Sequence, residues 1–139
     1  MKKLLLLSIS LLALSFLPST FAHDLKGAIA SEDRTPKNVV RDVYRHPYET
    51  LDFFGIKQDM TVIELSPGGG WYTEILANYI HYPGTLIAAH FNPDAGGYYK
   101  RGRANFEKKM NSNPMYGRVE IVNIDSTLAE PNSVDAVLT

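Results

Sequence analysis

Residues Val62 to Thr73 read VIELSPGGGWYT, and few folds accommodate that order. An apolar strand ends in an acid, three consecutive glycines follow, and aromatics then open a helix. Where a parallel strand turns directly into a helix, α/β proteins bind nucleotide-like ligands at the carboxyl end of the strand. Glycine lets the backbone approach the ligand, and the helix offers free N–H groups. Three glycines in a row also carry an entropic cost that a plain tight turn does not require. The segment therefore reads as a ligand loop, with Glu64 placed to hydrogen-bond a hydroxyl or ammonium group.

The flanking sequence repeats the strand–helix alternation. Thr61 to Leu65 is a nearly continuous apolar run, as expected of a strand buried on both faces of a parallel sheet. Tyr72, Ile75, Leu76, Tyr79 and Ile80 then recur at helical spacing, and Pro83-Gly84 ends that helix. Further strands are expected over Thr85 to Ala89, Val119 to Ile124 and Val134 to Thr139, with a weaker helix over Arg101 to Asn111. Ahead of the loop, short helices are expected over Asn38 to Arg45 and over Tyr48 to Phe54. Pro47 sits in the first turn of the second, and Gly55 stands at its C-cap. The pattern predicts an α/β protein with a Rossmann-like, doubly wound, mainly parallel sheet. About its first four strands are expected here, the chain reaching Thr139 within the fourth as though truncated or a fragment.

The amino terminus has a different design. Met1-Lys2-Lys3 is basic, Leu4 to Leu17 is apolar, and Pro18 to Ala22 ends in small residues. This is the layout of a secretory signal peptide cleaved after Ala22, which predicts an exported, periplasmic or secreted protein without a stable membrane anchor. A polar, extended arm is expected over His23 to Lys37. Without Lys2 and Lys3, 12 basic side chains face 15 acidic ones. That balance argues against a dedicated nucleic-acid binder. With no cysteine, the chain has neither a disulfide framework nor a thiol nucleophile. No His or acid pair has metal-ligand spacing, so no metal is expected.

The glycine turn is not a dinucleotide fingerprint. That pattern needs a small residue where Thr73 stands, and it places its acid after the second strand. Strand–Glu–x–x–x–Gly–x–Gly–helix instead resembles motif I of the class I S-adenosylmethionine-dependent methyltransferases. The longer run, from Arg45-His46-Pro47 through Glu64 to Leu76, is similar to a bacterial family of exported, predicted methyltransferases. The resemblance covers about Val39 to Thr139. It implies that Glu64 contacts the methionine end of S-adenosylmethionine, directly or through water, and that Gly68 and Gly70 let the backbone pass beside it. Ser66, Pro67 and Gly69 complete the loop. Asp125 matches the acid that accepts a hydrogen bond from the adenine amino group, and Asp135 a structural acid opening the fourth strand. Ser66 departs from the family by replacing the first motif glycine. The second strand also ends in His90-Phe91-Asn92 where relatives place an acid for the ribose, leaving His90, Asn92 or Asp94 for that part.

Methyl transfer needs alignment and exclusion of water, and transfer to oxygen or nitrogen also needs a base near neutral pH. Of the four histidines, His46 is the candidate for that base, at a helix start near the pocket; a surface or capping role is its alternative. Trp71 and Tyr72 offer a cation–π face for the sulfonium or, alternatively, serve as packing residues. Tyr98 to Arg103 with Lys108-Lys109 interleaves aromatics and bases, and reads as a solvated helix face. The expectation is S-adenosylmethionine-dependent methyl transfer to an unidentified acceptor. Its rivals are a non-catalytic module for a nucleoside-like ligand and an inactive remnant.

Overall fold

The computed structural model describes residues 24–139, so the expected signal peptide lies outside the described residues. Four strands form one sheet: β1 (Thr61–Leu65), β2 (Thr85–His90), β3 (Glu120–Asn123) and β4 (Ala136–Leu138). Their order is β3-β2-β1-β4, and every pairing is parallel. Val62 pairs with both Leu86 and Ala136, which makes β1 a central strand. The fold is thus α/β with a Rossmann-like, all-parallel sheet. The chain runs outward from β1 through β2 to β3 and returns to β4 on the far side of β1, so the order reverses beside the carboxyl end of β1.

The α-helices of the described residues are α1 (Leu25–Ile29), α2 (Pro36–Val39), α3 (Asp42–Arg45), α4 (Pro47–Phe53), α5 (Trp71–Tyr79) and α6 (Gly97–Met110). A 3-10 turn at Pro114–Tyr116 precedes β3. Alternation along the strands sorts side chains between the two faces of the sheet. Val62 and Leu86 pack with Ile75 and Leu76 of α5, with Ile80 just past its end, and with Leu51 and Leu138. Ala88, further along the same face of β2, meets Phe106 and Met110 of α6. Ile63, Ile87 and Ala89 point the other way, under Leu128, Ala129 and Val134. Leu51, Val62, Ile75 and Leu76 are fully buried, each worth about 1.5–3 kcal/mol of transfer free energy.

Three sequence expectations change. The extended arm is instead partly helical: Asp24 caps α1 by accepting from the N–H of Gly27 at 2.6 Å, and Leu25 and Ala28 are buried. Asn38 to Arg45 forms two separate turns, α2 and α3, rather than one helix. Helix α6 begins one turn earlier than Arg101, straight after Gly96 at φ +108°. Helix α5 is also buried beyond its apolar stripe, since Thr73, Glu74 and Asn78 are buried alongside Ile75. The arm is the reason: Ser31 donates to Oδ1 of Asn78 at 2.9 Å, and Thr35 bonds to Glu74.

Candidate functional site

The loop after β1 is held open by backbone conformations that few residues adopt. Ser66, Gly68 and Gly70 take φ of +54°, +57° and +79°. The N–H of Ser66 still donates to Ala89 at 2.9 Å, so the loop leaves the sheet only after that bond. The carbonyl of Pro67, a buried residue, accepts from the N–H of Gly70 at 2.8 Å and closes the turn. A side-chain carbon at Gly69 would meet no atom within 4 Å, and one at Gly68 only the Ser66 carbonyl at that limit. Both glycines therefore present bare backbone to open space.

Glu64 lies beneath this loop, 3% exposed, on the face of β1 that receives α5. Its Oε2 accepts a 2.5 Å hydrogen bond from the hydroxyl of Thr73, in the first turn of α5. Burial pushes the carboxyl up to about 7, against the opposing effect of the Thr73 hydrogen bonds. Thr73 thus explains why the third fingerprint position is not small: its hydroxyl serves the acid at the end of the strand.

His90, at the end of β2, is 1% exposed. Its Nδ1 accepts from the N–H of Phe91 at 2.7 Å, so the hydrogen resides on Nε2, which faces the Gly68 carbonyl at 3.3 Å. Burial lowers its pKa and keeps the ring neutral. With both nitrogens engaged, His90 braces the glycine loop rather than acting as a base. Asp125 is exposed just beyond β3, and its Oδ2 accepts from the amide of Asn92 at 3.0 Å. That bond joins the segments following β2 and β3.

Gly68, Gly69 and His90 share a cleft of about 670 Å³ with one face of α6; Glu64, Asp125 and His46 are not among its lining residues. His46 is exposed at the left-handed junction between α3 and α4, with φ +44°, and its carbonyl accepts from the Thr50 hydroxyl at 2.8 Å. Trp71 is a packing residue. It is 3% exposed, and its indole N–H donates to the Asn38 carbonyl and to Asp42, both at 3.0 Å. The guanidinium of Arg45 covers its ring at 4.5 Å, so an internal cation holds the face considered for a sulfonium. Asp135 is structural: its carboxylate accepts from the Thr61 N–H at 2.7 Å, at the entry to the central strands.

Sequence reasoning missed the residues that clamp the loop from behind. Glu74 is fully buried, pairs with Lys109 of α6, and accepts from both the hydroxyl and the N–H of Thr35. Lys109 also donates to the Gly69 carbonyl at 2.6 Å. Thr73 closes the loop string and Glu74 follows it directly, but their partners lie 9 to 39 residues away and carry no sequence signal.

These features define a Rossmann-like α/β domain with a glycine loop at the point where strand order reverses. Among solved structures, the chain is similar to a cyclopropane-fatty-acyl-phospholipid synthase-like protein from Lactobacillus casei. The two share 14% identity at a TM-score of 0.48, over 73% of this chain. The chain spans 38% of the length of that protein. No protein-family model matches the sequence, and no curated protein matches it.

Proposed function

We propose that the domain binds S-adenosylmethionine across the carboxyl ends of β1, β2 and β3 and supplies the cofactor half of a methyl-transfer site. The observation carrying this reading is the bare, positive-φ glycine loop at the reversal of strand order, beside β1. The residues fit the cofactor in three respects. Gly68 and Gly69 leave room for close backbone approach. Asp125 is an exposed acceptor for an amino group, and Asn92 beside it suits a ribose hydroxyl. Glu64, tied to Thr73, acts from below by fixing the start of α5 and by placing an ionisable group near a cationic ligand. The cofactor supplies a methyl group on a sulfonium; the chain supplies orientation. Export remains part of the proposal, through the signal-like segment before His23.

Calorimetric titration with S-adenosylmethionine and S-adenosylhomocysteine tests the reading. Saturable binding is expected, reduced about tenfold or more by Asp125→Ala through loss of a charge-assisted hydrogen bond. Absence of heat with both ligands, in a protein that unfolds cooperatively, overturns it and favours a module for a different nucleoside-like ligand.

A further inference from the structure

Helices α2 and α3 turn an apolar face to solvent. Val40 and Arg41, between them, keep right-handed helical backbone, so Pro36 to Arg45 winds as one run of turns. Its inner side is tied down. Asn38 is buried, Arg34 grips Asp42, and the Trp71 indole donates to the Asn38 carbonyl and to Asp42. Arg45 lies over the Trp71 ring. The outer side carries Val39, Val40, Val43 and Tyr44, the last three 67%, 66% and 84% exposed. Val40 precedes Val43 and Tyr44 by three and four residues, the spacing that puts side chains on one helical face. Lys37 and Arg41, four residues apart, are both exposed and outside any ion pair among the described residues. From Arg34 to Tyr48 the chain holds four bases and one acid, Asp42, which is turned inward against Arg34. The described chain as a whole holds 12 bases against 15 acids, so this stretch gathers positive charge against the overall balance.

We propose that this face docks on an anionic lipid bilayer. Apolar side chains beside uncompensated cations are the composition of a segment that lies in a membrane interface. Burial of the apolar side there adds to the attraction of the cations by anionic headgroups. Tyr44 suits that boundary, with an apolar ring and a polar tip. No helix among the described residues is long and apolar enough to cross a bilayer, so the contact is peripheral. A second copy of the chain matches the face less well, because a two-fold contact would bring the same uncompensated cations together. Docking through this outer face does not depend on what the glycine loop binds.

Tyr44→Trp in the full chain places a reporter on the face itself, because the one native tryptophan, Trp71, is buried. Its fluorescence is followed with mixed phosphatidylglycerol–phosphatidylcholine vesicles and with pure phosphatidylcholine vesicles. With the anionic vesicles, emission is expected to move to shorter wavelength, to be quenched by brominated acyl chains, and to respond less as salt is added. Arg41→Gln in the same background should raise the lipid concentration for half the response about fivefold, the worth of one cation near an anionic leaflet. Lys57→Gln should leave it unchanged, since Lys57 is exposed in the turn before β1, at the opposite end of that strand from Trp71. All three side chains are exposed, so the variants should unfold at the wild-type temperature. Absence of any shift at residue 44, including in chains that sediment with the vesicles, would overturn the proposal. So would an equal response to neutral vesicles, an undiminished response after Arg41→Gln, or a shift produced by soluble polyglutamate and not by vesicles, which would make the partner an acidic protein.

Discussion

The hydroxyl of Thr73 donates a 2.5 Å hydrogen bond to the carboxylate of Glu64, tying the first turn of α5 to the end of β1 across the glycine loop. The loop is thereby closed from beneath by two buried side chains nine residues apart. Its shape is set by contacts within the fold.

Stability should fall as pH rises through the acid range to neutrality. Glu64 has its folded pKa raised from 4.5 to about 7, so between these values the folded state keeps a proton that the unfolded state has released. Its contribution is complete below about 4.5 and is lost as pH approaches 7. Glu64→Gln keeps the shape and cannot ionise. Urea denaturation of both proteins from pH 4.5 to 8 should show the variant gaining on the wild type by a few kcal/mol, because each tenfold change in proton affinity is worth about 1.4 kcal/mol. A constant difference across that range would show that Glu64 titrates normally.

His90 should protonate at a lower pH than an ordinary histidine and carry its hydrogen on Nε2 when neutral. Its Nδ1 is taken by the Phe91 N–H, and burial disfavours the cation. Nitrogen-15 NMR of the ring should show a protonated Nε2 and an unprotonated Nδ1 at pH 7, with a midpoint below 6.5. The depressed pKa makes His90 stabilising above 6.5, a contribution lost as pH falls through its folded value.

Removing Glu74 should cost more than removing a surface acid. Glu74→Ala strands Lys109 and unties Thr35 at once, and breaking a buried pair costs about 3–5 kcal/mol. The paired change Glu74→Leu with Lys109→Met should recover much of that loss, because no buried charge is then left alone. Thermal unfolding of the two variants distinguishes a charge effect from a packing effect.

Gly84→Ala should destabilise by about 1–3 kcal/mol, the scale of overpacking at a rigid site. A side-chain carbon there would approach the Gln58 and Met60 carbonyls to 2.7 and 2.8 Å, and backbone cannot rotate away as a side chain can. Gly69→Ala, with no atom within 4 Å, is the control that should leave the unfolding temperature nearly unchanged.

Much of the architecture was legible because it rests on local pattern. β1 spans Thr61–Leu65, the bounds expected from its apolar run, and α4 spans Pro47–Phe53, one residue ahead of the expected Tyr48 to Phe54, with Pro47 in its first turn as expected. The glycine loop stands between strand and helix as its composition required. The arm was misread because polar residues such as Ser31, Asp33 and Arg34 look solvated in one dimension. In the fold, Arg34 is 3% exposed and grips Asp42 with two bonds of 2.7 and 2.8 Å, while the Asp33 carbonyl accepts from Tyr116 at 2.5 Å.

What the sequence by itself determined was the order of elements and the place of the loop, since hydrophobic period and glycine conformation are properties of neighbouring residues. Tertiary structure alone decided what the loop's side chains face. Glu64 meets Thr73, Trp71 is covered by Arg45, and His90 spends both nitrogens on backbone groups. It also brought Lys37, Arg101 and Lys109, from two distant parts of the chain, to one cleft. Such pairings depend on which face of the sheet each segment crosses. A polar side chain is fixed by the partner it finds there, and that partner is not written beside it in the chain.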